Sequence, residues 1–147
     1  MNAIILFDSH SSGGATDRII DTIGQELAKR DIYVEKGKVL PNADYSFLDE
    51  FDLILLGSPI YNLRLSENLA GAIIQSNLLA KLDGKQIALF VICGGPELSA
   101  DLLYLPQLQI PLLNKNIIAK KAFGMSCKND PESAVSFAEE IYEKAAK

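Results

Sequence analysis

Three unbroken apolar runs constrain this chain more than any other feature: "AIILF" at Ala3–Phe7, "LILL" inside "DLILLG", and "IALFVIC" inside "QIALFVIC". Each stops at turn residues, and none alternates with polar residues as a half-exposed strand does. Runs of that kind form strands covered on both faces. Between them the pattern turns helical. From Thr16 to Lys29 the apolar positions Ile19, Ile20, Ile23, Leu27 and Ala28 share one face, with Asp17 in the first turn and Lys29 and Arg30 closing the last. A second helix is expected from about Glu67 to Leu82. A third is expected over "DPESAVSFAEEIYEKAAK", with Asp130 at the N-cap and Pro131 at the first helical position.

The remaining segments fill in the pattern. Ile32–Val39 reads as a short strand, "NIIAKKAFGM" as the last strand, and "LPNADYSFLDEF" as a loop with one helical turn. "SPIYNLRLSEN" and "GGPELSA" read as loops. Asp101–Asn114 has helical character that Pro106 and Pro111 are expected to break up. Buried strands alternating with amphipathic helices require right-handed crossovers and a parallel sheet. The expected fold is therefore α/β, a doubly wound five-stranded parallel sheet in the order 2-1-3-4-5 with helices on both faces. At 147 residues it is expected to form a single domain over positions 1–147.

Ligands of such sheets bind beyond the carboxyl ends of the strands, where the strand order reverses. That rule gathers three loops of unusual composition: Asp8–Thr16, Ser58–Ser66 and Cys93–Ser99. In the first, Ser9, Ser11, Ser12 and Thr16 bring hydroxyls, Gly13 and Gly14 permit a tight turn, and a helix N-terminus follows with unpaired amides. This chemistry suits a phosphate held by neutral donors and the helix dipole. The loop has no lysine, which removes the nucleotide hydrolases of the G-x-x-x-x-G-K-[ST] type, and G-x-G-x-x-G is missing as well. It has no cysteine, which removes low-molecular-weight phosphatase chemistry. His10 is read either as a donor to the phosphate or as a surface histidine.

Composition narrows the partners. The formal net charge is −5 and the pI is about 4.8, which argues against nucleic acid and anionic membrane and for basic partner surfaces. The N-terminus shows no secretory pattern and no run is long enough to span a bilayer, so a cytoplasmic location is expected. Cys93 and Cys127 form no C-x-x-C and the chain has one histidine, which excludes the usual zinc and iron–sulfur ligand sets.

With these residues in place, "SSGGAT" at Ser11–Thr16 resembles the phosphate loop [ST]-x-T-G-x-T of the flavodoxins. Gly13 stands where that family usually has threonine, and the preceding loop is about two residues longer. "DLILLGSPIYN" is similar to the family's third strand and following loop, and "FVICGGPE" to its fourth strand and second flavin-edge loop. The chain most resembles the short-chain flavodoxins. The resemblance implies a non-covalently held FMN and single-electron transfer between transient redox partner proteins. It assigns the phosphate to Ser9, His10, Ser11, Ser12, Gly13, Gly14, Ala15 and Thr16. It assigns the ring to Ser58, Pro59, Ile60, Tyr61, Asn62, Leu63 and Arg64, and to Cys93, Gly94, Gly95 and Glu97. Tyr61 would stack on the isoalloxazine, and Asn62 stands where the family often has glycine. Arg64 would pair with the flavin or remain a solvated loop charge, and Glu97 would face the ring or solvent. Leu98 occupies the position nearest to the family's second aromatic, with Tyr104 expected on the next element. Two alternatives stay open: an FMN-dependent NAD(P)H or quinone oxidoreductase, and a flavodoxin-like binding module that has lost FMN.

Overall fold

The computed structural model describes residues 1–8, 14–61, 63–124 and 130–145, with the side chains of Ala15, Tyr61 and Glu97 outside that description. The chain runs β1 (Asn2–Phe7), α1 (Ala15–Ala28), β2 (Tyr33–Lys38), a 3-10 turn (Ser46–Glu50), β3 (Leu53–Tyr61) and β4 (Arg64–Leu65). It continues with α2 (Glu67–Gln75), α3 (Leu78–Lys81), β5 (Gln86–Ile92), α4 (Glu97–Ser99) and a π-turn (Ala100–Tyr104). Then come α5 (Leu105–Gln109), a second 3-10 turn (Ile110–Leu112), β6 (Asn116–Phe123) and α6 (Pro131–Ala145). Five strands form a parallel sheet in the order β2-β1-β3-β5-β6, which is the doubly wound arrangement expected from the sequence. The short β4 pairs antiparallel with the end of β3.

The pleat divides the apolar runs between two cores. Ile4 and Leu6, Ile54 and Leu56, and Ile87, Leu89 and Val91 face α2, α3 and α5. Ala3 and Ile5, Leu53 and Leu55, and Ala88, Phe90 and Ile92 face α1 and α6. The rings of Phe90, Phe123 and Phe137 meet edge-on in the second core, with centroids 5.9–6.2 Å apart. Among the described residues, no helix is long and apolar enough to cross a membrane.

Three local expectations are corrected. The segment expected as one helix over Glu67–Leu82 breaks at Ser76 and Asn77. Asn77 uses its side chain elsewhere: Oδ1 accepts from the Tyr45 amide at 2.8 Å, and Nδ2 donates to Asp44 at 2.9 Å. The loop expected over "GGPELSA" becomes helical from Glu97. The segment after it is divided at Pro106 and Pro111, as the sequence leads one to expect. Each stands in the first turn of a new helical piece, α5 or the second 3-10 turn, where a missing N–H leaves no bond unmade. Finally, the expected loop over Ser58–Ser66 is largely an extension of β3 turned back into β4.

Tyr45 closes the first 3-10 turn from inside. Its hydroxyl donates to the Leu40 carbonyl at 2.7 Å and accepts from the Leu40 amide at 3.0 Å. Burial pushes that hydroxyl above its ordinary value of 10.0, with the Leu40 bond opposing the shift in part. A phenol whose folded-state value is raised adds stability below its unfolded value and loses it as pH rises through the folded one. Tyr45→Phe is therefore expected to cost about 1 kcal/mol in urea unfolding at neutral pH. It should also remove part of the stability loss seen above about pH 10.

Candidate functional site at the carboxyl edge of the sheet

Strand register brings the three loops to one edge. Phe7 lies opposite Gly57 and Pro59 opposite Ile92, so Asp8, Ser58–Tyr61 and Cys93 follow one another across the carboxyl ends of β1, β3 and β5. A side-chain bond ties the edge to the helix layer: Asn68 Nδ2, in the first turn of α2, donates to Asp8 Oδ1 at 3.3 Å. This edge is the place where the strand order reverses, β1 lying between β2 and β3.

The first loop leads into α1 through Gly14, whose backbone is extended at the N-cap (φ −86°, ψ −168°) and which caps with no side chain. Its carbonyl accepts from the Arg18 amide at 3.1 Å, so the helix is wound from its first turn. Asp17 and Arg18 place opposite charges in that turn. Ser9, His10, Ser11, Ser12 and Gly13 lie outside the described residues, as do Asn62 and the side chains of Ala15, Tyr61 and Glu97.

The second loop is a braced hairpin. The Ser58 hydroxyl is buried, donates to the Pro59 carbonyl at 2.8 Å and accepts from the Ser66 amide at 3.1 Å, so it holds the hairpin rather than facing solvent. The Ser66 hydroxyl in turn accepts from the Leu69 amide at 3.2 Å and caps α2. Pro59 is buried and Ile60 half-buried, whereas Leu63 and Arg64 are exposed. Leu63 sits at the hairpin tip with φ +65°, a left-handed conformation that costs a side-chain-bearing residue about 1–2 kcal/mol. Gln107 of α5 secures the tip: Nε2 donates to the Leu63 carbonyl at 3.0 Å and Oε1 accepts from the Leu65 amide at 3.1 Å. Ser66→Ala is expected to cost about 1 kcal/mol by thermal unfolding, because it leaves an α2 amide unpaired beside a buried hairpin.

In the third loop Cys93 is a buried free thiol whose Sγ lies 3.6 Å from the Gly95 carbonyl. Among the described residues, a Cβ added at Gly94 or Gly95 would meet nothing within 4 Å, so both glycines border open space. Leu98 is 69% exposed and Tyr104 is buried in the core facing α5.

Three residues of this edge escaped the sequence reading. Asn68 and Gln107 act through tertiary bonds that no spacing encodes. Asp8 had a signal: an acid that ends an unbroken apolar strand. It is only 5% exposed, and its buried Oδ2 has no hydrogen-bond partner among the described residues.

No family model matches the chain, and no curated protein matches it in sequence. Solved structures do match. A flavodoxin from the domain Archaea superposes with a TM-score of 0.73 at 18% identity, covering 100% of both chains. Oxidised flavodoxin 2 from Bacillus cereus gives 0.73 at 22% identity over 98% of this chain and 99% of that one. Two-electron reduced Megasphaera elsdenii flavodoxin gives 0.74 at 14% identity over 95% and 98%. At these identities the likeness establishes the fold, which is flavodoxin-like.

Proposed function

We propose that this chain holds FMN non-covalently at the carboxyl edge of its sheet and carries single electrons between transient redox partner proteins in the cytoplasm. The observation that supports this most is the convergence of three loops at the strand reversal, one leading into a helix N-terminus and one bordered by open glycines. The residues present fit the cofactor. Gly14 brings no capping side chain of its own to the α1 N-terminus, which suits a phosphate, and Ser9, Ser11, Ser12 and Thr16 would supply hydroxyls to the same group. Tyr61 ends β3, where the resemblance calls for a ring that stacks on the flavin, while the backbone of Leu63 and the open side of Gly94 and Gly95 suit its edge. When bound, FMN supplies the electron chemistry, and the protein sets its binding, orientation and electrostatics. Ser58, Ser66 and Gln107 hold the hairpin in one shape, so the groups around the ring need no rearrangement between turnovers.

A second reading, an FMN-dependent oxidoreductase acting on NAD(P)H or quinone, is favoured by one observation. Leu98, nearest to the position of the family's second aromatic, is an exposed aliphatic side chain and Tyr104 is buried, so this segment offers no second aromatic ring to stack on the flavin. Purification tests the cofactor first. The protein should be yellow, release FMN in acid, and quench FMN fluorescence when the apoprotein is titrated. A colourless protein that leaves added FMN fully fluorescent overturns both readings. A yellow protein that consumes NAD(P)H with quinone unaided selects the enzyme over the carrier.

A further inference from the structure

We infer that the exposed leucine face beside the candidate site is where a second copy of this chain docks, in a two-fold pair that sets Arg64 of each copy against Asp101 of the other. The helical stretch from α4 to the second 3-10 turn buries Ala100, Tyr104, Leu105, Leu108 and Leu112 against the sheet. Its outer side is apolar as well. Leu98, Leu102, Leu103, Ile110 and Leu113 are 59–69% exposed, and Leu63 of the hairpin tip is 70% exposed. Gln107 joins the two parts by donating to the carbonyls of both Leu63 and Leu103, at 3.0 and 3.1 Å. Together these side chains expose on the order of 600 Å² of apolar surface. That is at the top of what a monomer ordinarily leaves open and near the ~800 Å² per partner of a standard interface.

Charge decides the occupant. Between Leu98 and Asn114 the only charged residue is Asp101, and the hairpin adds Arg64. Both are exposed, and among the described residues neither forms an ion pair. Gln107 holds the hairpin beside α5, and Asp101 lies six residues before it on the same helical stretch. One face thus carries a positive and a negative group at separate points of an apolar stripe. A two-fold axis across the stripe reverses the second copy and brings opposite charges together twice, the self-complementary pattern of an isologous interface. A basic partner would meet Arg64 with like charge and an acidic one would meet Asp101. The rest of the chain, at net −5, repels its own copies.

Sedimentation equilibrium of the purified chain tests this and needs no bound cofactor. The wild type should associate reversibly into dimers. Arg64→Glu and Asp101→Arg should each weaken association by roughly tenfold, and the double exchange should restore it to within about threefold. Leu102→Ser should give a monomer whose circular dichroism and thermal midpoint match the wild type. A wild type that stays monomeric at all concentrations overturns the proposal, as does association indifferent to the charge exchanges.

Discussion

Gly57→Ala is expected to destabilise the protein by about 3 kcal/mol, read as a lowered urea midpoint at unchanged slope. A Cβ at that position would lie 2.1–2.7 Å from three atoms of the Phe90 ring, far inside contact distance. The ring cannot swing aside cheaply, because it is fully buried and packed edge-on against Phe123 and Phe137 at 6.2 Å from each. Nor can β3 bow outward without loss, since Gly57 is paired with Phe7 on one side and Phe90 on the other. Shortening the ring in the double variant Gly57→Ala, Phe90→Leu should recover part of the loss, a coupling expected only if the two positions share that space. A loss below about 1 kcal/mol for the single variant would show that the aromatic cluster shifts as a unit. Because Ser58–Tyr61 follow directly, the same variant should also weaken FMN binding, which places the glycine of the "GSP" sequence in the packing beneath the site.

That glycine illustrates which parts of the structure the sequence could carry. Strands β1, β3 and β5 were legible because burial on both faces leaves an unbroken apolar run, and the strand order follows from crossover handedness. The end of β3 was not legible, because Pro59 reads as a strand terminator. At Ser58 and Pro59 β3 has lost β1 as a neighbour and is paired with β5 alone, the edge situation in which proline is tolerated. The break after Gln75 was hidden for another reason. Ser76 and Asn77 are ordinary helix-surface residues until Asn77 finds Tyr45 and Asp44, more than thirty residues away. Pro106 and Pro111 were legible, since each opens one of the new helical pieces into which the segment divides.

For the site, the legible part was its location. Three loops of unusual composition and one topological rule suffice to bring them to one edge, and the register of β1, β3 and β5 does bring them there. What stayed hidden was the bracing. Ser58, which the resemblance assigns to the ring, bonds through its hydroxyl to Pro59 and Ser66. The left-handed residue of the hairpin is Leu63, a type that sequence rules would not place there. Gln107, forty-four positions further on, holds it in that conformation.

Asp8→Asn is expected to tighten FMN binding about tenfold while changing the affinity for riboflavin, which lacks the phosphate, less than about twofold. Asp8 immediately precedes the serine- and glycine-rich loop that leads into the α1 N-terminus, and no lysine in that loop offsets its carboxylate. Asn68 reaches one oxygen at 3.3 Å, and the other is buried with no partner among the described residues. Unit charges about 8 Å apart at an effective dielectric near 20 interact by roughly 2 kcal/mol, so even a screened carboxylate opposes a phosphate measurably. An amide keeps the shape and the Asn68 contact while removing that opposition. The NH2 group takes the buried position that the partnerless oxygen leaves, so one unpaired polar group replaces another and the urea midpoint should move by less than about 1 kcal/mol. The two ligands separate this electrostatic role from a direct one. If Asp8→Asn weakened FMN and riboflavin equally, the Asp8 carboxylate would have to accept a hydroxyl common to both, and its orphaned oxygen would be an acceptor held for the ligand. Tightening confined to FMN would instead make Asp8 a brake on phosphate affinity, set beside a loop whose neutral donors would otherwise hold the cofactor harder.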